Sequence, residues 1–274
     1  MIKSIEKDKI IVDKEDFNLV QTLECGQVFS YFKENENYVV QSADKIAIIE
    51  EKEDYYIINT STPNYFINYF DLNTSYKEIK NKLLKYPIMK EPISFGSGIR
   101  ILKQDIFETI ISFIVSANNN IKRITKILNK IRENFGKKIG KYYAFPTLEE
   151  LKGANEEYFF KLGAGYRARY LEKVLKELEE FNIEESKTLP TEELRNKLIS
   201  LSGVGPKVAD CILLFAYSRH DVFPVDTWMA KMYNDFFEKC DNRTLIRKKL
   251  VEYFGELSGY AQQYLFYYKR SKTE

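Results

Sequence analysis

The chain has 274 residues, 44% hydrophobic and 30% charged, with 12 Gly and 7 Pro, a balance that excludes disordered, collagenous and low-complexity classes. Lys and Arg number 42 against 40 Asp and Glu, so the net charge of +2 points to no partner until it is divided along the chain. Three scattered cysteines, Cys25, Cys211 and Cys240, exclude a disulfide framework and paired-cysteine metal sites, and a single His220 puts lysine, carboxylate and tyrosine chemistry ahead of any triad. The first ten residues are charged throughout, and no apolar run reaches the ~18 residues of a membrane span. The expectation is a cytoplasmic protein, nucleoid-associated if prokaryotic, in a reducing compartment and without a membrane partner.

From Lys9 to about Thr60 the pattern predicts an antiparallel sheet. Lys9–Val12, Val28–Phe32, Tyr38–Val40, Ile46–Ile49 and Tyr55–Ile58 are short, β-branched and aromatic, with polar turns such as Glu34-Asn35-Glu36-Asn37 between them. This stretch is acidic, with seven Lys/Arg against thirteen Asp/Glu in residues 1–60. After Thr62-Pro63 the period changes, and from Gln104 onward apolar residues recur at helical spacing: Ile106, Ile110, Phe113 and Ile114, then Ile121, Ile124, Ile127, Leu128 and Ile131, then Tyr170, Val174, Leu175 and Leu178. The fold class is therefore α+β, with an N-terminal β domain over 1–100 and a mostly helical region over 101–274. Residues 118–141 carry Lys122, Arg123, Lys126, Lys130, Arg132, Lys137, Lys138 and Lys141 against Glu133 alone, a basic segment suited to contacting phosphates.

Within the helical region, Thr191 is placed to cap a helix running through Leu194 to Leu201. Gly203 and Gly205 then permit a tight turn, and Pro206 at a first helical position opens a helix over Val208–Tyr217. The result is a helix-hairpin-helix over about 191–218. Asp226 is placed to cap a further helix reaching about Phe237. A Gly-rich turn at a helix N-terminus lets backbone N–H groups approach a phosphate without reading sequence, although a capped structural turn has the same pattern.

The turn Leu201-Ser202-Gly203-Val204-Gly205-Pro206-Lys207-Val208-Ala209-Asp210, followed by Val222-Phe223-Pro224-Val225-Asp226-Thr227, resembles the signature of the helix-hairpin-helix superfamily of base-excision DNA glycosylases. Further blocks, Cys25-Gly26-Gln27-Val28-Phe29, Phe113 to Ile121, Leu162 to Tyr170 and Tyr260 to Phe266, are similar to its 8-oxoguanine DNA glycosylase/AP lyase branch, in that family's order from about residue 20 to residue 268. The resemblance implies duplex DNA containing 8-oxoguanine, preferentially opposite cytosine, as the partner, a monomer, and no required cofactor, with a structural monovalent cation at the hairpin. It assigns catalysis to Lys207 and Asp226. A lysine amine can attack a sugar C1′ only when neutral, and both a helix N-terminus and burial disfavour its cation. An ionised aspartate would stabilise the positive charge that develops as the glycosidic bond breaks.

The resemblance also implies a wedge and an estranged-base site at Asn118, Arg123, Tyr166 and Arg167, the arginines offering planar donor forks to cytosine. Its base pocket comprises the Gly26 carbonyl facing N7–H, Phe266 and Cys211 on the two base faces, and Gln262 on the Watson–Crick edge, with the C-terminal helix contributing. Guanine would set acceptor against acceptor at Gly26, and a buried carbonyl left unsatisfied costs about 1 to 3 kcal/mol. DNA-backbone contacts fall to Gly203, Gly205, Val208 and Trp228. Trp228 departs from the histidine of eukaryotic members, and Phe215 and Val28 also depart from familiar members, which puts pocket tightness and strictness for cytosine in question. A glycosylase of the superfamily with another damaged-base specificity and a noncatalytic DNA-binding module stay open, whereas the iron–sulfur branch needs four clustered cysteines.

Overall fold

The computed structural model describes residues 1–272. Six strands, β1 (Ile2–Glu6), β2 (Lys9–Asp13), β3 (Tyr31–Glu34), β4 (Asn37–Ser42), β5 (Lys45–Glu51) and β6 (Tyr55–Asn59), form one antiparallel sheet in the order β1-β2-β6-β5-β4-β3. Alternation decides which face is covered. Ile10 and Val12 of β2 are buried between the partly exposed Lys9, Ile11 and Asp13, and Tyr56 and Ile58 repeat the pattern in β6. Register places Ile10 opposite Ile58 and Ile58 opposite Ile49, so one apolar row packs on Leu19 and Leu23 of helix α1 (Leu19–Glu24) and on Phe66 and Phe70 in and beside α2 (Pro63–Tyr69).

Two features here differ from expectation. Val28 and Phe29 are buried but precede the strand, because Phe29 packs edge-on against Phe113 of the helical region at 5.7 Å and takes no place in the ladder. The charged Ile2–Glu6 pairs with β2 as an edge strand, a position that tolerates lysines and glutamates.

The helical region comprises α3 (Tyr76–Leu83), α4 (Lys90–Phe95), α5 (Ile106–Ser116), α6 (Ile121–Phe135), the short pair β7 (Lys138–Ile139) and β8 (Tyr142–Tyr143), then α7 (Glu156–Leu162), α8 (Arg167–Glu180), α9 (Ile183–Ser186), α10 (Thr191–Ile199), α11 (Pro206–Phe215), α12 (Thr227–Phe236), α13 (Arg243–Phe254) and α14 (Ser258–Ser271). The axis of this region is α5, whose residues 108–115 are all buried and on which α6, α8 and α11 pack. Tyr76, Leu83, Met89 and Ile93, all before residue 100, belong to this second core.

The two layers are joined by a buried polar knot. Glu108 of α5 accepts from Ser30 Oγ at 2.6 Å and from Ala43 N at 2.7 Å on the sheet side, and pairs with Arg132 of α6. Burial pushes the Glu108 carboxyl up against the opposing pull of Arg132. Arg132 is thus withdrawn from the basic segment counted in the sequence; it is 2% exposed and faces the interior. Lys137 and Lys141 are paired with Glu150 and Glu34, which leaves Lys122, Arg123 and Lys126 as the exposed cations of the first turns of α6.

Candidate active site

The hairpin is α10, the turn over residues 200–205, and α11. Thr191 is the first helical residue and Pro190 caps α10; Thr191 Oγ1 instead bonds Asp221 at 3.1 Å, which corrects the expected cap by one position. The helix ends at Ile199, two residues earlier than its apolar pattern suggests, because Leu201 serves the turn by accepting from Val204 N at 3.0 Å. Gly203 has φ of +84°, and a Cβ there would sit 2.9 Å from Tyr170 Cβ and 3.1 Å from Ile114 Cγ2. Glycine is required on both counts, and it seats the turn on α8 and α5.

A carboxylate from α8 completes the seat. Glu177 accepts from Ser202 N and from Ser202 Oγ, both at 2.6 Å. Sequence reasoning passed over Glu177 because nothing in a run of helix-surface glutamates marks the one that reaches a turn 25 residues away. Hydrogen bonds to a charged group contribute about 1.5 to 3 kcal/mol each at most, and water replaces part of that in a half-exposed position. A Glu177→Ala chain is expected to lose about 1 to 2 kcal/mol in urea unfolding and to weaken duplex binding; unchanged values of both would remove this role.

Lys207 lies one residue after Pro206 at the start of α11, an end with no side-chain cap. Its Nζ lies 5.4 Å from the centre of the Phe113 ring, which in turn stacks on Phe215 at 5.6 Å. No carboxylate pairs with it among the described residues. One turn on, Cys211 is 3% exposed; burial pushes its thiol up to about 11, with the charges of Lys207 and Asp226 acting on it in opposite directions. Asp226 caps α12 as expected, its Oδ1 accepting from Met229 N at 2.9 Å. Lys207, Cys211 and Asp226 therefore share one locale, built from the N-termini of α11 and α12. Trp228 sits in the first turn of α12, with Lys231 Nζ 5.2 Å from its ring centre.

On the other wall, α14 meets α11 where Leu214 lies over Gly259, and Cys211 and Gln262 are each one turn from that contact. Gln262 is 5% exposed, and its Oε1 has no hydrogen-bond partner among the described residues. Its neighbour Gln263 donates to the Cys25 carbonyl at 2.8 Å, fixing α14 to the loop that holds Gly26. Gly26 has φ of +85°, and a Cβ there would lie 3.0 Å from the Phe266 ring and 3.0 Å from Arg270 Nη1. Gln27 anchors the same loop: its Nε2 donates to the Thr22 and Arg100 carbonyls, both at 2.8 Å, and its Oε1 accepts from Leu102 N at 2.9 Å. Gln27 and Gln263 are positioning residues the sequence did not single out, since their partners are backbone atoms that no spacing rule identifies.

The loop between α5 and α6 carries Asn118 at φ +49°. Tyr166 is 57% exposed and its hydroxyl donates to Ala117 O at 3.2 Å, so the two candidate wedge residues are adjacent. Arg123 is exposed and reaches Gly163 O at 2.9 Å. Arg167, beside Tyr166, is 3% exposed, and its guanidinium donates to Ala117 O at 2.5 Å, Asn118 O at 2.6 Å and Ala164 O at 3.3 Å. In this arrangement it ties the Asn118 loop to the start of α8.

Comparison with known proteins places these features in context. Residues 9–110 match the model of the 8-oxoguanine DNA glycosylase N-terminal domain, and residues 111–256 match that of the HhH-GPD superfamily base excision DNA repair proteins. An N-glycosylase/DNA lyase of Saccharomyces cerevisiae is 37% identical over 174 residues, 57% of this chain and 46% of that protein. The chain thus spans about half the length of that relative. A probable N-glycosylase/DNA lyase of Methanothermobacter thermautotrophicus is 32% identical over 222 residues, 71% of this chain and 69% of that protein. The Clostridium acetobutylicum 8-oxoguanine glycosylase/lyase, solved with duplex DNA containing cytosine opposite 8-oxoguanine, superposes with a TM-score of 0.94 at 40% identity, covering 100% of this chain and 99% of that one. Matched along both its sheet and its hairpin region, the chain belongs to the 8-oxoguanine DNA glycosylase branch of the helix-hairpin-helix (HhH-GPD) superfamily.

Proposed function

We propose that this protein is a bifunctional DNA glycosylase/AP lyase that flips 8-oxoguanine out of duplex DNA, preferentially opposite cytosine, excises it through Lys207 and then cuts the strand. The observation that carries the reading is a nucleophile, Lys207, beside an acidic helix cap, Asp226, in a fold whose opposite wall holds a buried Gln262 acceptor, with neither a carboxylate for Lys207 nor a hydrogen-bond partner for Gln262 Oε1 among the described residues. An unsatisfied buried acceptor costs about 1 to 3 kcal/mol, and the ring N–H and exocyclic amine of a guanine edge would relieve it.

The chemistry follows from these groups. Lys207 Nζ attacks C1′ as the N9–C1′ bond breaks and the base leaves with the bonding pair, while the Asp226 carboxylate offsets the positive charge that forms on the sugar. Loss of a proton from nitrogen and opening of the sugar ring give an imine. The imine acidifies C2′–H, and removal of that proton expels the 3′ phosphate and breaks the strand. Cys211, its thiol kept protonated by burial, contributes packing and a soft wall to a flipped base while Phe266 takes the other face. Asn118 and Tyr166 would enter the vacancy left in the stack, with the remaining donors of Arg123 and Arg167 turned to the orphaned base.

A panel of duplexes tests the assignment. Base release is expected to be fastest from 8-oxoguanine opposite cytosine, slower opposite adenine, and absent from guanine. Release from uracil or an alkylated purine but not from 8-oxoguanine would move the protein to another specificity. Binding without release from any of them would make it a noncatalytic module.

A further inference from the structure

Behind the reactive lysine lies a second concavity that the chemistry above does not use. It encloses about 180 Å³ and is lined by Arg195 of α10, Pro206, Lys207 and Asp210 of α11, Val225, and Arg243, Thr244 and Arg247 of α13. A water takes about 30 Å³ of liquid volume, so this space admits a phosphate group with part of its hydration.

Its charge is lopsided. Three guanidinium groups, besides the Lys207 amine, face one carboxylate, Asp210, which is 1% exposed and already shared: Arg195 Nε reaches it at 2.8 Å and Arg247 Nε at 2.9 Å. Glu192, mostly exposed, holds Arg247 Nη2 at 2.8 Å. Each guanidinium carries five N–H donors, so Arg195 and Arg247 keep donors beyond these bonds. Among the described residues, Arg243 is exposed and meets only a neutral partner, Thr227 Oγ1 at 3.2 Å, and Lys207 has no carboxylate partner. The buried ion pairs explain the shape of the concavity; the surplus of positive charge at its mouth is unexplained by folding.

We infer that this concavity is an anion site for one phosphodiester of the damaged strand, next to the nucleotide on which Lys207 acts, with Arg243 as its principal contact. This rests on the function proposed above. The uncapped start of α11 faces the same space, so the site would extend the hairpin's backbone grip from α11 onto α13. A planar, permanently charged guanidinium suits a phosphodiester's paired oxygens better than an ammonium does.

The experiment measures lesion-duplex binding at several salt concentrations for the wild type, Arg243→Ala and, as a control on the same helix outside the concavity, Lys248→Ala. Loss of one phosphate contact lowers the slope of log K against log salt by ~0.9, or about a threefold smaller change in affinity between 50 and 200 mM salt. That drop is expected for Arg243→Ala and not for Lys248→Ala. Duplexes carrying a single neutral methylphosphonate then locate the contact: one position flanking the lesion should weaken the wild type and leave Arg243→Ala no weaker than it already is. Inorganic phosphate should compete with the duplex for wild type only at concentrations far above those of the DNA; competition at low phosphate would make the occupant a free anion and overturn the strand assignment. Equal slopes for Arg243→Ala and wild type overturn the site, while the wild type's own base release reports separately on the proposed activity.

Discussion

A Lys207→Gln chain is expected to bind a duplex carrying 8-oxoguanine opposite cytosine yet yield no covalent adduct under borohydride, where the wild type is trapped. The substitution should leave the fold intact. Lys207 is partly exposed, sits on a ring face and a thiol, and among the described residues carries no ion pair whose loss would strand a buried charge. Glutamine, one bond shorter, keeps the unbranched stem and helix preference of the side chain and removes the nucleophile. Borohydride reduces an imine only if the amine has already bonded to C1′, so loss of the adduct to background locates the attacking nitrogen. A Lys207→Arg chain separates nucleophile from charge, since a guanidinium stays protonated and cannot attack. It should bind at least as tightly as glutamine and trap no better. An adduct retained by Lys207→Gln would place the Schiff base on another amine and leave Lys207 a DNA-contacting cation.

The features legible in the sequence were those written in local periodicity. The β-branched and aromatic runs Lys9–Val12 and Tyr55–Ile58 predicted two strands of the sheet, and Gly203, Pro206 and Asp226 marked the turn and two helix starts within a residue or two. Contacts between distant elements were not legible. Arg132 reads as one more cation in a basic run, yet its partner Glu108 is a helix away and both are buried. That Arg167 also holds three carbonyls of the Asn118 loop and its neighbourhood was not legible, since carbonyl positions are a property of the folded backbone. Thr191 met every criterion for a cap except that Asp221, brought close by the fold, competed for its hydroxyl. The anion concavity was equally invisible, because Arg195, Asp210 and Arg247 come from three helices and only the closed hairpin together with α13 puts one carboxylate between two guanidinium groups.

Asp226→Asn is expected to slow base release by about 10²- to 10³-fold while leaving thermal stability nearly unchanged. The two halves of that expectation come from different properties of one side chain. As a cap, Asp226 supplies an oxygen to Met229 N, and asparagine supplies the same oxygen with similar effectiveness, so α12 should start where it does now. In the mechanism proposed above, its carboxylate would stand as a negative charge close to the sugar carbon, which asparagine cannot supply. That charge matters most when the glycosidic bond is breaking and the sugar is most positive, so its loss raises that barrier more than it weakens substrate binding. A duplex with a pre-formed abasic site bypasses the bond in question. Strand cutting there should therefore fall much less than excision does, and the ratio of the two rates, measured under single-turnover conditions, carries the test. Equal losses in both steps would show that Asp226 serves the lysine or the fold rather than the departing base, and a drop in melting temperature of several degrees would show that the cap alone accounts for its presence.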